Sequence, residues 1–593
     1  MAATTRSHSP KARTGVRREA QKPDAPVPPA AKRARTSPLA DSPGLDALLT
    51  DAAVGRRGER WLPGVAGAKA AVKLARRPGR VGRRTAGLAV EAAKVAAGRS
   101  DVAPAKGDRR FADPAWTDNP LFRRLGQVYL AAGSTAHELL DDAELGWGDE
   151  RRLRFAIDNV VAALAPTNFP LSNPTVIKAL VDTGGGNLAR GARQFVRDMA
   201  TPPRIPTMVD RSSFAVGENL ALTPGAVVLR TPAFELIQYG PQTPMVREQP
   251  LLIVPPMINK YYIVDLAPER SLVEYLIKSG QQVFALSWRN PDERAADWSL
   301  ATYAAAVIEA LDATAAITRS EKCHVLGLCA GGIVLSTVVA HLAARGEQGR
   351  LAGLTLAVCV LDNRHAGTTG AFLDRRVAAL AVAESARRGY LDGRALAGVF
   401  AWLRPTDLIW NYWVNNYLLG KKPPAFDILY WNSDTTNMPA ALHRDFIEMS
   451  LENSLVRPGA MRVMGTPVDL TKITVDSYIV AGIADHITPW QNAYRTTQLL
   501  GSAPRFVLSN SGHIAAMVNP PGNPKASFRT HDTDPEDAAE WLEGATQHSG
   551  TWWNDWVKWL SQRSGNEKRP RRTLGSAGFK AMDPAPGTYV LNA

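Results

Sequence analysis

Cysteine is scarce: the 593 residues hold three, Cys323, Cys329 and Cys359. That number excludes a disulfide-stapled scaffold. With no second Cys/His cluster it also argues against a zinc module, and neither a metal nor another cofactor is expected. Long apolar runs are missing too. The longest mostly apolar run, Leu354 to Leu361, is far short of the ~18 residues a membrane span needs. No charged, apolar, small-residue leader opens the sequence. These absences predict a soluble protein of a reducing compartment. Excess charge is absent from most of the chain. Residues 1–100 hold 21 Lys and Arg against 7 Asp and Glu, which accounts for the whole net charge of +14. The remaining residues balance to zero.

Enough apolar material is present for a large core: 45% of residues are hydrophobic and 21% charged. The length suggests two to four domains or one large decorated domain. Residues 1–105 read as a basic disordered arm, because the first fifty show no apolar periodicity. Val65–Ala75 and Thr85–Ala97 could form short basic amphipathic helices on an anionic surface. The arm is either a contact to nucleic acid, anionic lipid or acidic partners, or a solvated tail that aids solubility. Residues 106–245 read as a helical N-terminal domain, with turns at Asn119-Pro120 and Pro166 to Pro170 and a break at Gly184 to Gly186.

Residues 246–593 alternate strand and helix. Short apolar runs at Pro250–Val254, Gln282–Ser287, Cys323–Leu328, Leu354–Leu361, Ser477–Ala481 and Arg505–Leu508 enclose helical patterns such as Ser299–Arg319 and Gly332–Arg345. The pattern predicts an α/β fold with a mostly parallel sheet covered on both faces. A helical, turn-rich insertion at about 364–465, containing Trp402, Trp410, Trp413 and Trp431, reads as a cap over the sheet edge. Trp552, Trp556 and Trp559 share one helical face and are expected in the core.

The sharpest feature is Gly327-Leu328-Cys329-Ala330-Gly331, between a strand and a helix. It is a G-x-S-x-G nucleophile elbow with Cys in place of Ser, which implies the α/β-hydrolase fold. Glycines flank the nucleophile because it sits on a tight, strained turn. The helix N-terminus favours an anionic sulfur. The acid and base follow in the order this fold uses. Asp485 comes after the strand Ser477–Ala481, and His513 after Arg505–Leu508. His513 would take the Cys329 proton, and Asp485 would orient the imidazole and stabilise its cation. His486 competes for the base role, but it stands beside the acid and is assigned a supporting place. The oxyanion donors would be the backbone N–H groups of Ala330 and Ile258, the latter in the loop after an early strand. A Cys nucleophile accepts an acyl group from a thioester at little free-energy change and keeps it activated, which favours acyl transfer over hydrolysis.

With this elbow, Asp113-Pro114-Ala115-Trp116, Pro166-Thr167-Asn168, Pro255-Pro256 with Ile258 to Tyr262, Ser287 to Pro291 and Trp431 to Asp434 resemble signature stretches of the poly(3-hydroxyalkanoate) synthases. The resemblance covers about residues 110–593. It implies an (R)-3-hydroxyacyl-CoA substrate, an acyl group on Cys329, release of coenzyme A and chain growth by attack of a 3-hydroxyl. It also implies a second duty for Asp485 in activating that hydroxyl. It further implies a cytoplasmic homodimer at the surface of polyester inclusions, in contact with granule-associated proteins. The length is similar to the single-subunit type. Trp431 to Met449 and Ala585-Pro586-Gly587-Thr588-Tyr589-Val590 look closer to the medium-chain class, while Leu328 and the long arm depart from it. The alternatives are a thioesterase or polyester depolymerase of the same fold, and a non-catalytic granule or nucleic-acid binder; the Cys elbow and intact triad order disfavour both.

Overall fold

The computed structural model describes residues 64–364 and 375–592. Its centre is a ten-stranded sheet. The strands are β1 (Gly225–Arg230), β2 (Phe234–Tyr239), β3 (Leu251–Val254), β4 (Val283–Trp288), β5 (Cys323–Leu328), β6 (Leu351–Ala357), β7 (Ser477–Gly482), β8 (Arg505–Ser509), β9 (Ser527–Thr530) and β10 (Thr546–Ser549). Their spatial order is β1-β2-β4-β3-β5-β6-β7-β8-β9-β10. The stretch β4-β3-β5-β6-β7-β8 is parallel. Antiparallel pairs extend it at both ends. Every residue of β3, β4, β5 and β7 is buried. Helices cover both faces, so these strands read as continuous apolar runs without alternation.

The chain leaves β3 outward to β4 and then returns past β3 to β5. Strand order therefore reverses between β3 and β5, and the crevice beyond their carboxyl ends is where such a sheet binds its ligand. Helix α7 (Leu272–Lys278) links β3 to β4, α8 (Leu300–Thr318) links β4 to β5, and α9 (Ala330–Ala344) follows β5. A capping box of Ser299 and Thr302 starts α8, and Arg319, in the left-handed region at φ 56°, ends it.

The sequence reading needs correction at four places. The sheet begins at Gly225 and not near 246, because β1 and β2 fall inside the segment read as helical. Glu235 interrupts the apolar run of β2 and hides it. The antiparallel strands β9 and β10 were also not expected; they are short, and β10 is largely exposed. Third, α8 is long and apolar enough to cross a membrane by length and composition. Its Ala and Leu content serves the core here, with Leu300, Val307, Leu311 and Ile317 buried.

The fourth correction concerns the basic arm. Residues 1–63 lie outside the described residues. Residues 64–96, expected to be disordered or bound to a foreign anionic surface, form α1 (Gly64–Ala75) and α2 (Pro78–Ala96). Their anionic surface belongs to the protein itself, on α3 (Pro120–Asp142), α4 (Trp147–Ala163) and the loop between them. Arg84 meets Glu138 at 2.8 Å and Asp142 at 2.7 Å, Arg77 and Arg80 both meet Glu144, and Lys69 meets Asp149 at 2.6 Å.

Helices α5 (Pro174–Asp182) and α6 (Gly186–Ala200) complete the N-terminal helical layer. This layer braces the insertion between β6 and β7, whose helices include α10 (Arg375–Arg388), α11 (Gly393–Leu403), α12 (Asp427–Ser433) and α13 (Ala440–Glu452). Tyr417 donates to Asp198 on α6 at 2.9 Å, and Asn187 on α6 donates to the Leu418 carbonyl at 2.8 Å. Two π-helical turns, Thr406–Trp410 and Trp413–Leu418, form the braced part. Helix α14 (Trp552–Ser561) lies on the sheet with Trp552, Trp553, Trp556 and Trp559 all buried.

Candidate active site

Cys329 stands at the carboxyl end of β5, at φ 49° and ψ −121°. That is an unfavourable conformation for a residue with a Cβ, and about 1–3 kcal/mol of local strain is typical of such positions. The neighbouring glycines allow the turn through close approach. A Cβ on Gly327 would lie 2.5 Å from the Gly332 Cα. A Cβ on Gly331 would meet the Val254 carbonyl oxygen and lie 2.6 Å from the Pro255 oxygen. The elbow and the loop leaving β3 are thus in backbone contact, as the switch point between the two strands requires.

The structure brings Asp485 and His513 together. His513 opens a short helix after β8, and its Nδ1 is 2.7 Å from Asp485 Oδ2. That pairing uses Nδ1 and leaves Nε2 for a second partner, and Cys329 is among the groups that act on the imidazole. Both groups are buried, with Cys329 at 5% and His513 at 6% exposure. Burial opposes a charged imidazole. The charge of Asp485 and that of Cys329 outweigh it, so the His513 pKa is raised. Burial likewise opposes the Asp485 carboxylate, and the His513 charge with hydrogen bonds from Thr488 outweighs it, so the Asp485 pKa is lowered. Each partner thus stabilises the charged form of the other, so Asp485 favours the imidazolium that forms when His513 accepts a proton.

Asp485 is fully engaged. The backbone N–H groups of Ile487 and Thr488 donate to Oδ1, each at 2.8 Å. Thr488 Oγ1 donates to Oδ2 at 2.6 Å and lies 3.2 Å from His513 Nδ1. Thr488 was not singled out from the sequence. Its signal is the spacing Asp485-x-x-Thr488, which lets a carboxylate accept from the chain that follows it. His486 lies beside the acid. Its Nδ1 has no hydrogen-bond partner among the described residues. Burial pushes its pKa down to about 4, and the Asp485 charge offsets this only in part.

The other cysteines differ from Cys329. Burial pushes the Cys323 thiol up to about 12 and raises Cys359 as well, the latter with help from the Cys329 charge. Buried, uncharged thiols of this kind are inert. Among the described residues no cluster of His, Cys, Asp and Glu is suited to a metal ion.

Ala330 opens α9 directly after Cys329. Ile258 lies in the loop after β3 and is 4% exposed. The insertion clamps that loop. Thr436 N–H donates to the Ile258 carbonyl at 3.3 Å, Thr436 Oγ1 to the Met257 carbonyl at 2.8 Å, and Trp431 Nε1 to the Lys260 carbonyl at 2.7 Å. Trp288 Nε1 fixes the other end through the Pro255 carbonyl at 2.9 Å. The resulting site is a buried cysteine on a strained turn, a hydrogen-bonded His–Asp pair and a clamped loop in backbone contact with the elbow. Such an arrangement can carry an acyl group.

The family pattern of the poly-beta-hydroxybutyrate polymerase (PhaC) N-terminus matches residues 107–276, and that of the alpha/beta hydrolase fold matches residues 250–520. Poly(3-hydroxyalkanoate) polymerase 1 of Ectopseudomonas oleovorans is 47% identical over 516 residues, covering 87% of this chain and 92% of that protein. The poly(3-hydroxyalkanoate) polymerase subunit PhaC of Cupriavidus necator is 42% identical over 503 residues, covering 84% of this chain and 85% of that protein. Among solved structures, a monoacylglycerol lipase from Paleococcus ferrophilus aligns with a TM-score of 0.32 at 14% identity, over 56% of this chain and 99% of that one. The chain is an acyltransferase-type enzyme with an α/β-hydrolase fold, and it belongs to the poly(3-hydroxyalkanoate) polymerase family.

Proposed function

We propose that the enzyme polymerises (R)-3-hydroxyacyl-CoA through a covalent acyl thioester on Cys329, releasing coenzyme A. The observation that carries this reading is the strained Cys329 facing a His513–Asp485 pair 2.7 Å apart. His513 takes the thiol proton through Nε2, and the Cys329 sulfur attacks the thioester carbonyl. Backbone N–H groups of Ala330 and Ile258 hold the oxyanion. The C–S bond to coenzyme A breaks, and His513 returns the proton to the leaving sulfur. The 3-hydroxyl of another unit then attacks the acyl–Cys329 carbonyl. Its proton goes to His513, an ester bond forms and the Cys329 sulfur leaves. The resemblance assigns this second activation to Asp485. Four donors already occupy the Asp485 oxygens, which favours His513 for that step as well.

The similarity to both Ectopseudomonas oleovorans polymerases, 47% and 45% identical, supports a preference for medium-length acyl chains. Homodimerisation and residence at cytoplasmic polyester inclusions belong to the same proposal, because the product is a water-insoluble polymer. A role for the arm in binding nucleic acid or acidic partners is left to residues 1–63, since α1 and α2 engage the protein's own carboxylates.

The test is coenzyme A release from 3-hydroxybutyryl-CoA and 3-hydroxydecanoyl-CoA, with the product sized by chromatography. High-mass polyester, faster with the ten-carbon substrate and abolished in Cys329→Ala, is expected. Free 3-hydroxy acid as the sole product would make the protein a thioesterase. Full release by Cys329→Ala would end the acyl-Cys mechanism.

A further inference from the structure

The motif Ala585 to Val590 has no place in the chemistry above, yet the structure runs it from the sheet edge to the active-site loop. Residues 582–585 pair beside β1. Met582 donates to the Val227 carbonyl at 2.8 Å, Val227 to Asp583 at 2.9 Å and Ala585 to Gly225 at 2.9 Å. The chain then turns at Gly587, whose φ of 79° and contact with the Glu235 carboxylate leave no place for a side chain.

Glu235 is the anchor. It is fully buried on β2 and paired with Arg230 at 2.6 Å. It accepts the N–H groups of Thr588 and Tyr589, each at 3.0 Å, and the Thr588 hydroxyl at 2.9 Å. Tyr589 donates its hydroxyl to the Thr231 carbonyl at 2.7 Å, and its ring lies under the guanidinium groups of Arg230 and Arg289. Val590 is 2% exposed in the same buried cluster as Tyr261, Tyr262 and Cys329.

Past this anchor, the Asn592 carbonyl accepts from the ammonium of Lys260. Lys260 is 3% exposed and directly follows Ile258-Asn259. Burial lowers its pKa, and the charge of Asp434 opposes this only in part. A buried ammonium whose one hydrogen bond among the described residues goes to a carbonyl at the end of a short helical turn is costly unless that tie holds. The Lys260 backbone carbonyl is meanwhile fixed by Trp431 at 2.7 Å. The loop is thus clamped from the insertion through its backbone and from the 587–592 strap through one side chain.

We propose that the 587–592 strap is a positioning element of the active site, acting through Lys260 to hold the Ile258 loop against the elbow. The proposal rests on the acyl-Cys329 reading. It requires that Lys260 and Asn592 act as one unit on turnover and not on substrate binding.

The test is a cycle of three variants, Lys260→Met, a chain ending at Val590, and both together, measured by coenzyme A release and thermal unfolding. Each single variant is expected to lower kcat by about ten-fold with KM unchanged, a fraction of the loss from removing an oxyanion donor outright. The combined variant is expected to lose no more than either single one, and Lys260→Arg to recover part of the rate. Wild-type kcat in either single variant, multiplied losses in the combined one, or a rise in KM alone would overturn the proposal. If Lys260→Met does not fold, the chain ending at Val590 decides alone, because it keeps Lys260. Cys329→Ala runs alongside. Activity there would sink the mechanism itself, whereas a dead Cys329→Ala beside a fully active Lys260→Met would sink only the strap.

Discussion

Gly331→Ala isolates the contact between the elbow and the loop after β3. The added methyl would lie 2.6 Å from the Pro255 oxygen and 2.8 Å from its carbonyl carbon, besides meeting the Val254 oxygen. All three are backbone atoms, so no side chain can rotate out of the way. Ordinary contact is restored only by a shift of about 1 Å between α9 and the loop. Overpacking of this kind costs about 1–3 kcal/mol of stability. The same shift moves the Ile258 loop relative to Cys329, and a misplacement of about 1 Å near reacting groups costs on the order of 100-fold in rate. The expected outcome is therefore a folded protein with a lowered Tm and a kcat for coenzyme A release down by about two orders of magnitude. Gly349→Ala is the control, because nothing lies within 4 Å of its added methyl. A Gly331→Ala enzyme with unchanged kcat would refute the argument that this contact sets the geometry of the site.

Three other outcomes follow from the site. His513 has a raised pKa, so its pairing with Asp485 contributes stability that is complete below the ordinary histidine value of about 6.5 and is lost as pH rises through the raised value. The Tm gap between wild type and Asp485→Asn should accordingly be wider at pH 6 than at pH 10, and a gap independent of pH would contradict the ion pair. Thr488→Val removes the hydroxyl that bridges Asp485 and His513 and should cost about 1–3 kcal/mol in thermal or denaturant unfolding, with a matching fall in coenzyme A release. His486→Gln should retain most activity across neutral pH, because His486 is already uncharged there; a dead His486→Gln enzyme would reopen its claim to the base role.

The elbow is written in a few consecutive residues. Gly327 to Gly331 after an apolar run specify a strained turn from sequence alone, since only small neighbours let the chain cross itself there. The order Cys329, Asp485, His513 also survives without the structure, because each follows a strand that periodicity can find. The buried strands β3, β4, β5 and β7 were legible because covering both faces demands continuous apolar runs. Helix α8 and the tryptophan face of α14 were legible through helical spacing.

Other features depended on partners distant along the chain. β2 holds Glu235 in its buried interior, a placement that makes sense only once Arg230, Thr588 and Tyr589 surround it. The basic run at 64–96 looked like a solvated arm because its counter-charges, Glu138, Asp142, Glu144 and Asp149, come dozens of residues later. Thr488, the clamp of Thr436 and Trp431 on the Ile258 loop, and the tie from Lys260 to Asn592 join segments up to 332 residues apart. Sequence determined what depends on neighbours in the chain: periodicity, turn strain and the place of the elbow. The tertiary structure alone decided which charges are compensated and which backbone segments meet at the elbow, because burial and hydrogen-bond partnership are properties of packing across the chain.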